Sequence, residues 1–151
     1  MRTHILQREQ LLRGVAPADV FPFFADARNL EAITPPLLRF RVVTPEPIEM
    51  RVGALIQYRL RLHGAPVSWL TSIQAWDPPH RFVDVQVRGP YALWHHTHTF
   101  TPTAEGTVMC DLVRYAIGFG PLGELADRIL VRRDLRAIFD FRAQHVARMV
   151  G

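Results

Sequence analysis

The chain has 151 residues, 48% hydrophobic and 21% charged, enough apolar material for the core of one domain spanning 1–151 and too much for a disordered chain. Its formal net charge of +4 comes from 18 arginines, with no lysine, against 14 acidic residues; the arginines are scattered, with Arg132-Arg133 the only adjacent pair, so no nucleic-acid partner is expected. No apolar run reaches the roughly 18 residues of a membrane span, no apolar leader follows Met1-Arg2-Thr3-His4, and the lone Cys110 excludes an internal disulfide, so the expectation is a cytoplasmic protein without stable membrane insertion, its oligomeric state left open.

Residues 3–12 read as a first strand. Pro17 suits the first turn of a helix whose apolar side is Val20, Phe21, Phe23 and Phe24, and Pro22 falls early enough to be tolerated. A second short helix over 29–33 is stopped by Thr34-Pro35-Pro36. Strands follow at 38–44, 54–63, 67–76, 81–88, 93–101 and 107–117. Turn signals separate them at Gly64-Ala65-Pro66, Asp77-Pro78-Pro79-His80, Gly89-Pro90 and Ala104-Glu105-Gly106. Ile56, Tyr58, Leu60 and Leu62 oppose Gln57, Arg59, Arg61 and His63, while Val67, Trp69, Thr71, Ile73 and Ala75 share a face. Short turns predict antiparallel neighbours.

From 121 to 150 the period becomes helical, with no proline or glycine after Gly123. The apolar phase slips inside this segment. Leu122, Leu125 and Ile129 form one stripe, whereas Leu135, Ile138, Val146 and Met149 lie almost opposite. Either the helix bends near 131–134, or the sheet wraps it on two sides with continuous burial. The order predicts an α+β fold in which a curved seven-stranded antiparallel sheet is covered by the terminal helix. Two short helices lie between the first two strands, and a cavity is expected between sheet and helix.

Residues 94–123 carry the most chemistry. Trp94, His96, His98 and Phe100 share one strand face, and two imidazoles between large aromatics fit an apolar pocket with a few polar contacts. A turn centred between Thr103 and Ala104 sets Asp111 opposite His96 and Met109 opposite His98. A carboxylate there raises the imidazole pKa and fixes a tautomer. The trio could anchor a ligand carbonyl or hydroxyl, form an acid/base pair, or order the sheet. His-His-x-His also raises zinc, but no cysteine pair or HExxH helix accompanies it, so no metal and no cofactor are expected. Tyr58, Trp69, Trp94 and Tyr115 supply pocket walls.

Other motifs carry less. Gly118-Phe-Gly120-Pro-Leu-Gly123 matches GxGxxG, yet no parallel strand follows the helix, so the glycines read as turn chemistry. Cys110 has the opposite phase to Asp111 and reads as an inert thiol. Ser68 and Ser72 are not in a GxSxG context. In strand 81–88, alternation buries Val83, Val85 and Val87. The preceding turn also permits the opposite register, with Phe82, Asp84 and Gln86 beside Trp69 and Ile73.

This order resembles the helix-grip superfamily of START lipid-transfer domains, polyketide cyclases and birch-pollen-type allergens, and more narrowly the bacterial ligand-binding SRPBCC proteins. The matching stretches are Val20-Phe-Pro-Phe-Phe-Ala-Asp with Asn29-Leu30 and Thr34-Pro35-Pro36, then Trp76-Asp77-Pro78-Pro79 and Phe82-Val83-Asp84-Val85-Gln86. They continue through Gly89-Pro90-Tyr91, Trp94, His96, His98, Phe100, Gly106-Thr107, Asp111, Val113 and Tyr115, and end with Gly120-Pro121-Leu122-Gly123 through Arg132-Arg133. The resemblance favours the register that turns Asp84 and Gln86 inward.

It implies non-covalent binding of a lipid, isoprenoid, quinone or aromatic polyketide by Tyr58, Trp69, Asp84, Gln86, Trp94, His96, His98, Asp111 and Tyr115. One alternative is a cyclase or dehydratase in which His96 or His98 shuttles protons, Asp111 orients the ring and Tyr115 polarises a carbonyl. The other is a protein- or RNA-interaction module; a cavity below roughly 300 Å³ would favour a structural or protein-interaction role.

Overall fold

The computed structural model describes residues 1–150. The elements are β1 (His4–Arg13), α1 (Pro17–Ala25), α2 (Asn29–Ala32), a 3-10 turn (Pro36–Leu38), β2 (Arg41–Val42), β3 (Leu55–Leu62) and β4 (Ala65–Asp77). β5 (Arg81–Arg88), β6 (Leu93–Thr103), β7 (Gly106–Ala116), α3 (Gly120–Ala126), a π-helical turn (Asp127–Val131) and α4 (Arg132–Val150) follow. Among the described residues the strands form a seven-stranded sheet in the order β1-β7-β6-β5-β4-β3-β2, each neighbouring pair antiparallel. This is the curved sheet with a long terminal helix that the sequence predicts.

Several local expectations change. β2 shrinks from seven residues to Arg41–Val42, because the prolines hold a 3-10 turn and Arg39 then takes a left-handed conformation at φ 45°. The β3–β4 turn sits on His63 and Gly64, both at positive φ (50° and 80°), as a tight two-residue hairpin requires. Ala65 and Pro66 are therefore strand. Pro22 lies inside α1, beyond its first turn, and the helix ends three residues later. In β4 an irregularity between Ile73 and Ala75 leaves Gln74 unpaired against β5. That extra residue moves Ala75 off the cavity face and sets Trp76 opposite Phe82.

The phase slip in the last helix has a different cause from either expectation. The π-helical turn inserts one residue and rotates the apolar stripe by about 100°. Burial is not continuous: Leu122, Leu125 and Ile129 are 73%, 51% and 65% exposed, while Gly123 and Asp127 are the buried positions. Gly123 lies so close to the strand exit that a Cβ there would stand 1.9 Å from the Gly118 carbonyl oxygen. Glycine is thus required at this corner by packing. α4 buries Leu135, Phe139 and Val146, whereas Met149 is exposed.

The core falls into three clusters. Phe21 and Phe24 of α1 pack with Phe82, Phe100, Met109 and Val146. Val42, Ile56, Tyr58 and Ile73 pack under Ala27. Trp94, Val113 and Tyr115 pack against Leu135 and Phe139 of α4. The cavity is lined by residues of all three clusters.

Candidate functional site

Strand register brings four polar side chains together, and α4 adds a fifth. The β6–β7 turn is two residues long, with Thr103 opposite Gly106, so His98 faces Asp111 and His96 faces Val113. The sequence expectation was two residues off; a slip of two preserves the face, so Asp111 still points inward. On the other side of β6, Asp84 pairs with His96 and Phe82 with His98. The inward register of Phe82 and Asp84 is therefore the one adopted, although Val83 is also buried.

The two imidazoles stack with centroids 3.6 Å apart, and Phe82 stacks on His98 at 3.9 Å. Each ring stands between two carboxylates. His96 Nε2–H donates to Asp111 Oδ1 at 2.7 Å, a diagonal cross-strand contact, and its Nδ1 lies 3.8 Å from Asp84 Oδ2. His98 Nε2–H donates to Asp84 Oδ2 at 2.5 Å, and its Nδ1 lies 3.4 Å from Asp111 Oδ1. Arg142 of α4 places Nη2 3.3 Å from His98 Nδ1 and 3.6 Å from Asp111 Oδ1. A guanidinium only donates, so His98 Nδ1 accepts and the ring proton sits on Nε2. Arg142 Nε is buried without a hydrogen-bond partner; its guanidinium carbon lies 5.7 Å from both the Phe24 and Phe139 ring centroids.

Burial dominates the His96 pKa and, with His98 stacked on it, pushes the imidazole down to about 4 against the pull of Asp84 and Asp111. The rise expected from a neighbouring carboxylate is outweighed. Burial raises Asp84 and Asp111 too, but their partners win. His96 and the hydrogen bond from His98 hold Asp84 below its ordinary value. Arg142 and the hydrogen bond from His96 hold Asp111 well below. Burial, with the Asp84 charge, raises Tyr58 far above its usual value, so it is a neutral phenol. The cluster thus holds two carboxylates, one guanidinium and a stacked imidazole pair, each ring hydrogen-bonded to a different carboxylate.

The cavity beside this cluster has a volume of about 170 Å³. Tyr58, Trp69, Asp84, Trp94, His96 and His98 are in its wall. Three expected contacts are elsewhere. Asp111 sits behind His96, on the side of Arg8 and Ala143. Gln86 clamps the β5–β6 connection: its Nε2 donates to the Tyr91 carbonyl at 2.7 Å, and Tyr91 N–H donates to its Oε1 at 3.0 Å. Tyr115 donates its hydroxyl to Asp127 at 2.7 Å.

Sequence reasoning missed Tyr91, Phe139 and Arg142, which also line the cavity. Arg142 carried a signal, because it falls on the Leu135, Phe139, Val146 stripe, where an arginine is out of place.

Asp84, His96 and His98 each offer one donor atom within 4.8 Å of the others, which makes them the candidate metal ligands among the described residues. An ion there must displace the proton that His98 gives Asp84, with the Arg142 guanidinium held against the same ring. The network satisfies Asp84 Oδ2 and both His98 nitrogens, and leaves His96 Nδ1 3.8 Å from Asp84 Oδ2 without a donor.

The profile of a protein family described as polyketide cyclase / dehydrase and lipid transport matches residues 5–151. No curated protein matches the sequence. Among solved structures, a Chromobacterium violaceum protein of 17% identity superposes with a TM-score of 0.75, covering 97% of each chain. The di-domain aromatase/cyclase StfQ of the steffimycin biosynthetic pathway, 17% identical, gives 0.77 over 98% of this chain and 50% of its own. The Zhui aromatase/cyclase from a Streptomyces species, 13% identical, gives 0.74 over 97% and 92%. At such identities the likeness is one of fold. No described helix is long and apolar enough to cross a membrane.

Proposed function

Because the chain belongs to the polyketide cyclase / dehydrase and lipid transport family, we propose that its cavity binds a small, largely apolar molecule non-covalently, with the ligand's polar end against Asp84, His96 and His98. One observation carries this reading: a polar ladder forms part of the wall of an otherwise apolar void enclosed by Tyr58, Trp69, Trp94 and Phe139. Size narrows it. A void of about 170 Å³ is close to the engineered apolar cavities, roughly 150 Å³, that accept a single benzene ring. A phenol-sized ring fits this conformation. A lipid, isoprenoid, quinone or polyketide enters only if α4 or the 3-10 turn moves outward, or if part of it stays outside.

The same volume favours a second reading. It falls below the roughly 300 Å³ usual for ligand pockets, which suits a module whose polar ladder orders the interior while its surface meets other macromolecules. Phenol separates the two. Titration followed by NMR at the His96 and His98 imidazoles should shift both, and Asp84→Asn, which removes a charged acceptor, should weaken binding about tenfold or more. Native mass spectrometry after mild purification should show a retained small molecule. Unmoved imidazole resonances together with a ligand-free mass leave the interaction module as the reading.

A further inference from the structure

Arginines scattered in sequence converge at the β2–β4 end of the sheet. Arg39, Arg41, Arg59 and Arg61 line a groove of about 750 Å³ with Phe40, Leu60 and Val67 in its walls. All four arginines are exposed. Arg41 and Arg59 stand directly opposite each other across β2 and β3, a like-charge pairing that destabilises a sheet. Arg61 is two residues on, about 7 Å along the same face. Among the described residues none of the four is ion-paired, whereas Arg8, Arg28 and Arg81 are. Folding alone gives no reason to hold this much uncompensated positive charge in one concavity.

We propose that this groove docks the chain on an anionic phospholipid surface, its guanidiniums taking the headgroup phosphates. Arginine binds phosphate through paired N–H donors, and each basic residue near an anionic membrane adds attraction that salt screens. Two further observations select a bilayer. Leu37, 89% exposed, stands two residues before Arg39, and Leu38 beside it lines the cavity. Leu55, 55% exposed, lies on β3 with Arg59, and Val43, 42% exposed, directly follows β2. An apolar fringe on a basic site suits the headgroup–acyl boundary. A single-stranded nucleic acid would want free aromatic faces, but Phe40, the groove's aromatic, is half-buried and packed on Tyr58 at 4.8 Å. Phe40 and Leu60 line both groove and cavity, so docking would bring the cavity rim to the membrane. This inference does not rest on the cavity holding a ligand.

The test is co-sedimentation of the whole chain with phosphatidylcholine vesicles, with and without phosphatidylglycerol, at low and high salt. Binding should require phosphatidylglycerol and fade with salt. Each neutralised arginine should lower partitioning about fivefold, so R41Q/R59Q should bind roughly 25-fold less, while R114Q, on β7 away from the groove, should bind like the parent. R41Q/R59Q removes a repulsion and should fold at least as stably, which circular dichroism and urea unfolding check. Equal binding to neutral vesicles, or an unweakened R41Q/R59Q, overturns the proposal. So does saturable binding of inorganic tripolyphosphate or a single-stranded oligonucleotide without recruitment to vesicles, which would make the groove a site for free polyanions.

Discussion

Asp127 and Asp111 are both buried, and each is approached by an arginine of α4 and by ring groups of the sheet. Around Asp127 both carboxylate oxygens are used. Tyr115 donates to one oxygen and Arg132 to the other, both at 2.7 Å, and His4 stands 3.5 Å away. Arg132 is 45% exposed, so its charge stays solvated. The cluster ties the π-helical turn to β1 and β7. Around Asp111 the account does not close. Arg142 is only 12% exposed and leaves Nε unpartnered, and the histidines that hold Asp111 form a cavity wall. The two clusters share a chemistry, so residue type does not separate scaffold from site. A neighbouring void does, since each cluster leaves one buried nitrogen without a hydrogen-bond partner, Arg142 Nε in one and His4 Nε2 in the other.

The largest effect is expected at the closed cluster. Asp127→Ala leaves the buried Tyr115 hydroxyl without its acceptor and frees Arg132 into solvent, and should cost upwards of about 1 kcal/mol in urea unfolding. Asp127→Asn, which still accepts from Tyr115, should cost less. Phenol binding by the folded fraction should not change. A loss below about 1 kcal/mol would mean that the cluster does not pin the turn, and the contrast between the two clusters would fail.

Acid should act through the open cluster. His96 has its pKa lowered to about 4 in the folded state, against about 6.5 unfolded. Between those values the unfolded chain binds the extra proton, so stability falls as pH drops from about 6.5 to 4. That difference corresponds to about 3 kcal/mol. Asp84 and Asp111, whose pKa values are lowered, add their loss below about pH 4. Urea midpoints measured across this range should show the decline, and His96→Gln should flatten its upper part. An unchanged slope in that variant would assign the acid sensitivity to other groups.

The fold was legible because its signals are local and repeated: alternation, turn residues and a final helical period. Errors arose where one extra residue changes phase without a compositional mark. The Gln74 irregularity and the π-helical turn are both of this kind, and each moved a predicted apolar set, Ala75 in one and Leu122, Leu125 and Ile129 in the other. The site was partly legible for the same reason. His96 and His98 share a strand face by parity whatever the turn, and a two-residue error in register left Asp111 inside. Gln86 and Tyr115 also face the interior, yet their polar ends are occupied by Tyr91 and Asp127, contacts that no spacing encodes. The arginine groove was invisible because it depends on β2 pairing with β3, and β2 is two residues long.

The smallest effect is the most discriminating. Asp111→Asn keeps an oxygen that accepts from His96 Nε2–H and removes only the negative charge. The Asp111 hydrogen bond and charge both favour the protonated imidazole, so the variant should lower the His96 pKa further. Burial and the stacked His98 are then opposed chiefly by Asp84. Nitrogen chemical shifts followed through acid titration read this directly, because they report each ring nitrogen separately. Asp127→Asn serves as the control. It alters a buried carboxylate of the other cluster, makes no contact with His96 or His98, and should leave their titrations in place. If Asp111→Asn leaves His96 unmoved, Asp111 is not coupled to that ring; if Asp127→Asn moves it as far, the two clusters are one electrostatic unit. The cavity-facing network would then have no separate identity on which a ligand could act.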